Sequence, residues 1–83
     1  MKVTVRYFAS IREAVGTSSE SIETTATTLA QVRDVLIARG EVWAQALSRE
    51  RAVRAALDHT LCDESTALHE GCEVAFFPPV TGG

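Results

Sequence analysis

The sequence predicts an α+β fold in which a mixed sheet of about five strands carries helices on one face and ends in a protruding C-terminal tail. Residues 2–8 alternate between apolar and polar side chains, an amphipathic segment occupies the middle of the chain, and residues 72–77 form a second apolar strand pattern. A right-handed crossover would place the first and last strands parallel and adjacent at the centre of the sheet. We expect residues 1–83 to form one domain, with 78–83 as its tail.

The first strand and the short helix after it follow from local patterns. The inward side chains of the first strand are Val3, Val5 and Tyr7. Ser10 and Glu13 have the spacing of a capping box, which predicts that a helix begins there. Gly16 ends the helical pattern, because glycine adopts the left-handed conformation that closes a helix.

The main helix lies in the middle of the chain, after a weaker strand pattern. That strand is predicted over 20–24, with Ile22 facing inward. A second capping box at Thr28 and Gln31 opens the helix, and Gly40 closes it. The apolar face of this helix is formed by Leu29, Val32, Val35 and Leu36.

The second half of the chain contributes a lid and three strands. Trp43 and Leu47 are one helical turn apart, which predicts a short segment that packs over the core. Residues 53–57 alternate as the third strand, and a brief fourth strand is predicted over 60–62. The chain then reaches its last strand, which leads directly into the tail.

Alternation along the last strand separates a covered face from an open face. Val74 and Phe76 would face the helices, whereas Ala75 and Phe77 would lie on the open face beside Phe8 of the first strand. An apolar patch at the root of a tail indicates a docking surface. The alternative is that Phe8 turns sideways beneath the first helix.

The C-terminal tail has an unusual composition. Pro78 and Pro79 lack backbone N–H groups, so they end the strand and keep the chain extended. At about 3.3 Å per residue, the segment from Pro79 to Gly83 reaches roughly 15 Å, the depth of an ordinary enzyme pocket. Gly82 and Gly83 have no side chains and could pass through a narrow channel to deliver a carboxylate. The alternative is that the two glycines are an accident or a cloning scar.

Composition excludes several functional classes. A net charge of −3 and a pI near 5.2 give no electrostatic basis for binding nucleic acid or an anionic membrane. No apolar run is long enough to span a bilayer, and the N-terminus leads into a strand pattern and not into a signal peptide. The cytoplasm is therefore the expected location.

Two His-x-x-Cys elements raise the question of a metal site. They are His59 to Cys62 and His69 to Cys72. Structural zinc sites usually pair cysteine with cysteine and histidine with histidine across short loops, which this spacing does not do. A disulfide is disfavoured in a chain without a secretion signal. We therefore expect no metal, and we expect both thiols to be packing residues.

Two parts of the chain carry a resemblance to a known family. Residues 76–83 read Phe-Phe-Pro-Pro-Val-Thr-Gly-Gly and follow Gly-Cys-Glu-Val-Ala at 71–75. Residues 5–16 read Val-Arg-Tyr-Phe-Ala-Ser-Ile-Arg-Glu-Ala-Val-Gly. These segments resemble the corresponding parts of the MoaD family, the small subunits of molybdopterin synthase. The resemblance covers nearly the whole chain and implies a ubiquitin-like β-grasp fold.

The same resemblance implies a sulfur carrier. Gly83 would be adenylated by a MoeB-like, ATP-dependent activating enzyme and converted to a thiocarboxylate with sulfur from a donor. Gly82 would thread the channel of a MoaE-like large subunit, where the sulfur passes to cyclic pyranopterin monophosphate to form the molybdopterin dithiolene of the molybdenum cofactor. The chain would bind no cofactor itself and would be a non-catalytic subunit of a heterotetrameric enzyme. Together with the alternation of the strands, this predicts as partner-binding residues Phe8, Ala75, Phe77, Pro78, Pro79, Val80 and Thr81.

Two other functions share the diglycine end. One is a sulfur carrier for another pathway, such as the thiamine carrier ThiS, although that family lacks the Phe-Phe-Pro-Pro-Val run. The other is a ubiquitin-like modifier, in which Gly83 would form isopeptide bonds with lysines of target proteins. Cys72 and the Asp58-His59 loop depart from the commoner residues of the MoaD family, but neither departure touches the tail.

Overall fold

The structure, a computed structural model, describes residues 1–79. Its elements in chain order are β1 (Lys2–Tyr7), α1 (Ala9–Val15), β2 (Ser19–Glu23), α2 (Leu29–Ile37), α3 (Glu41–Leu47), β3 (Arg54–Leu57), β4 (Thr60–Cys62) and β5 (Glu73–Phe77). Within residues 1–79, no helix has the length and apolar character needed to cross a membrane.

The five strands form one mixed sheet in the order β2-β1-β5-β3-β4. The first and last strands are parallel neighbours, with a register that runs from Thr4 opposite Glu73 to Tyr7 opposite Phe76. On either side of this pair, β2 is antiparallel to β1 and β3 is antiparallel to β5. β4 pairs antiparallel with β3 and forms the edge opposite β2. This confirms the predicted α+β architecture, and the arrangement is the ubiquitin-like β-grasp fold.

The core lies between one face of the sheet and the helices. Val74 and Phe76 of β5 are fully buried there, as alternation along the strand predicted. Burial of this apolar surface supplies most of the stability of a small domain. The other side chains with 1% exposure or less are Val3, Val5, Tyr7, Leu29, Val32, Leu36, Leu47 and Cys72.

The start of α1 differs from the prediction, whereas its end agrees. The helix begins at Ala9, and no side chain caps it, so the predicted capping box at Ser10 and Glu13 is wrong. Ser10 lies inside the helix because the chain turns sharply at Ala9, where φ is 51°. Gly16 closes the helix with φ of 81°, as predicted.

The capping of α2 is confirmed in part. The hydroxyl of Thr28 accepts a hydrogen bond from the Gln31 N–H at 3.3 Å. The Gln31 side chain reaches one residue further back than in a standard capping box, since its oxygen accepts from the Thr27 N–H at 2.7 Å. The helix ends at Ile37 with Ala38 as its C-cap, so the prediction that Gly40 closes it is wrong. Gly40 is instead the N-cap of α3.

The buried face of α2 corrects one predicted core residue. Val35 is 44% exposed, whereas Arg33 is only 3% exposed. The Arg33 guanidinium donates to the carbonyl oxygens of Leu47 at 2.8 Å and Ser48 at 2.6 Å, and it pairs with Glu64 at 2.6 Å. A buried charge persists when it is paired and hydrogen-bonded. Helix α2 is therefore oriented so that Arg33 donates hydrogen bonds to the backbone carbonyls at the C-terminal end of α3.

Candidate functional site

Two aromatic rings meet at the sheet end from which the tail departs. The rings of Phe8 and Phe77 pack edge to face, with centroids 6.5 Å apart and an interplanar angle of 87°. Ala75 lines the same surface beside them. Phe8 is 37% exposed, so it does not turn beneath the first helix. The predicted cluster of Phe8, Ala75 and Phe77 is confirmed.

The backbone around Ala9 holds Phe8 on the open face. The Phe8 N–H donates to the Phe76 carbonyl at 3.2 Å, which extends the pairing of β1 with β5. Its carbonyl accepts from the Ile11 N–H at 3.1 Å, which begins the helix. Between these bonds Ala9 adopts a positive φ, which is unfavourable for a residue with a side chain. Sequence reasoning missed this turn because no glycine marks it.

The hairpin between β3 and β4 forms a wall of the same surface. Leu57 pairs with Thr60, so Asp58 and His59 make a two-residue turn, with φ of 49° and 70°. Positive φ at both central residues is the geometry of a type I′ hairpin turn, which suits the twist of the strands. Leu61 projects from this hairpin and is 61% exposed.

Together these elements enclose a shallow apolar groove of about 700 Å³, which we call the docking groove. Its described lining residues are Phe8, Ala9, Ala56, His59, Leu61, Ala75, Phe77, Pro78 and Pro79. Pro78 and Pro79 belong to this lining, so the tail leaves from one edge of the groove. The other predicted site residues, Val80, Thr81, Gly82 and Gly83, lie outside the described residues.

Charged side chains border the docking groove. The guanidinium of Arg6 lies 5.4 Å from the centre of the Phe8 ring, where a cation is attracted to the face of the ring. Arg6 also pairs with Glu73 at 3.8 Å, and His59 contacts the same carboxylate at 3.2 Å. An apolar centre with a polar border is the usual composition of a protein interface.

Asp58 holds the β3–β4 hairpin, which we call the hairpin wall, in place through hydrogen bonds to β5 and to His69. One carboxylate oxygen accepts the Glu73 N–H at 2.9 Å, and the other lies 2.6 Å from His69 Nε2. The backbone hydrogen bond from Glu73, with the contact to His69, lowers the pKa of Asp58. In turn, the hydrogen bond to Asp58 raises the pKa of His69. The opposed shifts favour the charged pair.

The two cysteines are packing residues, as predicted. Cys72 is fully buried in the core, and Cys62 is partly buried against it. The histidines that precede them in sequence pair instead with separate carboxylates, His59 with Glu73 and His69 with Asp58. Within residues 1–79, no group of three or more histidine, cysteine, aspartate or glutamate side chains is placed to hold a metal ion.

The chemical character of the docking groove favours binding over catalysis. Of its described lining residues, His59 alone is ionisable, and the others are apolar. The groove is also shallow and open, whereas catalytic sites exclude water and bring several polar groups together. The described lining of the groove is therefore that of a binding surface.

Comparison with known proteins identifies relatives over almost the full length. The model of the ThiS family matches residues 5–83. The molybdopterin synthase sulfur carrier subunit of Escherichia coli is 40% identical over 81 residues, covering 98% of this chain and 99% of that protein. The equivalent subunit of Haemophilus influenzae is 39% identical over 79 residues, covering 95% of this chain and 96% of that protein.

One solved structure shows a similar chain together with a second protein. It is a complex of subunits 1 and 2 of the molybdopterin-converting factor from Helicobacter pylori. The matched chain superposes with a TM-score of 0.70 at 30% identity, and the match covers all of both chains. A chain of this fold and length therefore occurs in a complex with another subunit.

Proposed function

We propose that the chain, which belongs to the ThiS family, is the sulfur-carrier small subunit of a molybdopterin synthase. The observation that carries the proposal is the docking groove formed around Phe8 and Phe77 at the root of a tail that ends in Gly82-Gly83. The family alone does not specify the acceptor of the sulfur. The names of two relatives at about 40% identity, which cover nearly the full length, favour molybdopterin.

The reacting group is the carboxylate of Gly83. A carboxylate at neutral pH is a poor electrophile, and transfer of AMP from ATP by an activating enzyme turns it into an acyl adenylate with a good leaving group. The terminal sulfur of a donor persulfide then attacks the acyl carbon, and the bond to AMP breaks. A thiol cleaves the S–S bond of the resulting acyl disulfide and is itself oxidised to a disulfide, which leaves a thiocarboxylate on Gly83. Its sulfur is a soft nucleophile that can attack a carbon of cyclic pyranopterin monophosphate, which forms a C–S bond. Gly83 carries no side chain that would hinder that approach. Water then hydrolyses the resulting thioester, so that the sulfur stays on the pterin and Gly83 regains its carboxylate.

The docking groove is the surface that the large subunit covers. Phe8 and Phe77 are half-exposed aromatic anchors, the residue class that dominates interface energies. Pro78 and Pro79 would aim the tail into the partner, and Val80 and Thr81 would contact its channel. The complex of a similar chain from Helicobacter pylori with a second subunit supports a large-subunit partner. We propose that this partner is of the MoaE type and that the assembly is a heterotetramer with two copies of each subunit.

The activating enzyme, of the MoeB type, would recognise the same groove. A tail that must be adenylated and later inserted into the large subunit serves two partners in turn, and one groove at its root can guide both steps. The chain itself supplies no acid or base and acts as a co-substrate, so ATP is used by the activating enzyme and the chain holds no cofactor.

Reconstitution tests the proposal against its two alternatives. The chain, its activating enzyme, ATP and a sulfur donor are incubated with the large subunit and cyclic pyranopterin monophosphate, and molybdopterin is measured after oxidation to a fluorescent derivative. We expect molybdopterin in proportion to the chain supplied. Formation of the thiamine thiazole with thiazole-forming enzymes instead, or a ladder of lysine conjugates in cell extract, would contradict the proposal.

A further inference from the structure

The basic residues of this chain are almost all arginines. Of the eight Lys and Arg residues, seven are arginine, and Lys2 is the single lysine. The two side chains have the same charge, but they differ in reactivity. A lysine amine can lose its proton and attack an acyl group, whereas a guanidinium stays protonated well above neutral pH.

Three arginines lie close to the root of the tail. Arg54 is the direct cross-strand partner of Phe77, the last residue of β5. Arg6 is opposite Ala75 and stands over the Phe8 ring. Arg51 lines a second cleft, between α1 and α3, together with Pro78. The root of the tail at Phe77 and Pro78 therefore lies beside three arginine positions, and a lysine at any of them would place a primary amine near that root.

Both primary amines of the chain lie at the opposite end of the sheet. Lys2 begins β1, and its carbonyl accepts a hydrogen bond from the Gly71 N–H at 2.8 Å. From Gly71 to Phe77 the chain advances roughly 20 Å along β5, at about 3.3 Å per residue. The α-amine of Met1 lies at the same far end, where it donates to the Thr24 carbonyl at 3.0 Å.

The tail could reach these amines only by reversing direction. Residues 78–83 have a contour length of roughly 20 Å, about the distance from the tail root to the far end of the sheet. To reach the amines at the far end of the sheet, the tail would have to turn back at Pro78-Pro79 and lie fully extended along the sheet. The proline pair disfavours that reversal, because it fixes an extended backbone.

We propose that this distribution protects the activated C-terminus from attack by its own chain, with Arg6, Arg51 and Arg54 as specificity-determining positions. The inference rests on the proposed function, because it concerns the acyl adenylate of Gly83. In the side reaction, a lysine amine attacks the acyl carbon, a C–N bond forms, the bond to AMP breaks, and the amine loses a proton to water. The product is an internal isopeptide that no longer carries a free C-terminus, so it cannot accept sulfur.

Tethering makes this side reaction a serious competitor. A reactive group at the end of a short flexible segment has an effective concentration in the millimolar range near groups that the segment can reach. Near a group that the segment cannot reach, its effective concentration is close to zero. An amine beside Phe77 would therefore compete with the sulfur donor at every activation. Arginine keeps the positive charge at the border of the docking groove and removes the competing nucleophile.

The test uses the full chain with a Gly83 thioester, obtained by thiol cleavage of a C-terminal fusion, which presents an activated carbonyl without any partner. Wild type, Arg54→Lys and Thr4→Lys are incubated at mildly alkaline pH and followed by intact mass. A cyclised chain weighs one water less than the hydrolysed free acid, and peptide mapping locates the isopeptide. Thr4 is a matched control, because it lies on the same face of β1 as Lys2 and Arg6, opposite Glu73 at the start of β5.

We expect Arg54→Lys to give at least about tenfold more cyclised product than wild type, with Thr4→Lys between them. Equal cyclisation of wild type through Lys2 or Met1 would overturn the inference, as would the absence of cyclisation in Arg54→Lys. The proposed function is tested separately by thiocarboxylation of wild type with its activating enzyme. Failure there, with cyclisation of Arg54→Lys retained, would refute the sulfur-carrier function and with it the reason for this arrangement.

Discussion

Adjacent residues of β5 lie in two different environments. Val74 and Phe76 face the helices and are fully buried, whereas Ala75 and Phe77 face the docking groove and are half-buried. The helices all pack on one face of the sheet, so the other face remains free to bind. One strand of five residues therefore supplies both the centre of the core and the centre of the proposed interface.

This difference shows how a small domain separates stability from recognition. An enclosed active site needs more chain than 83 residues readily provide, because such a domain buries only about 60–65% of its unfolded surface. Alternation along a strand solves the problem without additional residues. Substitutions on the covered face should therefore affect folding, and those on the open face should affect binding.

The largest effect is expected on the covered face. Phe76→Ala should lower the free energy of unfolding by about 3–5 kcal/mol, because it leaves a cavity in the middle of the core. Urea denaturation followed by circular dichroism measures this directly. Phe77→Ala is the matched control on the open face, and equal destabilisation by the two variants would contradict the division between the faces.

The second effect concerns the tail, where neither face is involved. Gly82→Val should reduce sulfur transfer by roughly a hundredfold, because a branched side chain misplaces the reacting end in a narrow channel and disfavours any positive φ there. Dithiolene product is the measured quantity, and unchanged urea denaturation shows that the fold is intact. A normal rate of product formation would refute the channel.

The third effect is loss of binding on the open face. Phe77→Ala should weaken the complex with the large subunit by about 2 kcal/mol or more, a factor of about thirty in the dissociation constant. Isothermal titration calorimetry provides the measurement. Leu61→Ala is a useful companion, because Leu61 lines the same groove on a different strand. An unchanged dissociation constant for Phe77→Ala would mean that the partner docks elsewhere.

The smallest effect is a pH dependence at the hairpin wall. Because Asp58 raises the pKa of His69 above its ordinary 6.5, their pair stabilises the fold fully below that pH and loses this contribution as pH rises through the raised pKa. Wild type should therefore exceed His69→Gln in urea midpoint at mildly acidic pH, and the two should converge at alkaline pH. At much lower pH the contribution of Asp58 is also lost, since its pKa lies below 3.8.

A double-mutant cycle isolates that pair. Asp58→Asn removes the negative charge but keeps an oxygen that can accept the Glu73 N–H. In this background His69→Gln should no longer change the pH dependence of stability. A pH dependence that persists without the carboxylate would show that His69 responds to another group.

Periodicity made much of this molecule predictable from sequence. Alternation placed Phe76 in the core and Phe77 on the open face, and the chain order of strands and helices predicted the parallel central pair of the sheet. These features depend on repeating patterns, which several residues specify together. The reactive role of the C-terminus could also be proposed from sequence, because it depends only on the identity of Gly82 and Gly83.

The features that sequence reasoning missed depend on single residues in tertiary contexts. Arg33 is buried where it donates hydrogen bonds to the carbonyls of Leu47 and Ser48 at the end of α3. No residue pattern along α2 predicts that contact. Ala9 and His59 adopt positive φ values without being glycine, so no turn signal marks them. Both line the docking groove, and its detailed shape could therefore not be predicted.

The identity of the sulfur-bearing atom is the central claim, and intact-mass analysis tests it most directly. A persulfide on Cys62 or Cys72 is the competing route, because thiols readily hold sulfur. With activating enzyme, ATP and a sulfur donor, wild type and the double variant Cys62→Ser, Cys72→Ala should both exchange one oxygen for one sulfur in the final peptide, stable to thiol reductant. One residue added after Gly83 should abolish this change. The account would be contradicted if the double cysteine variant gained no sulfur while the chain with an added C-terminal residue still did.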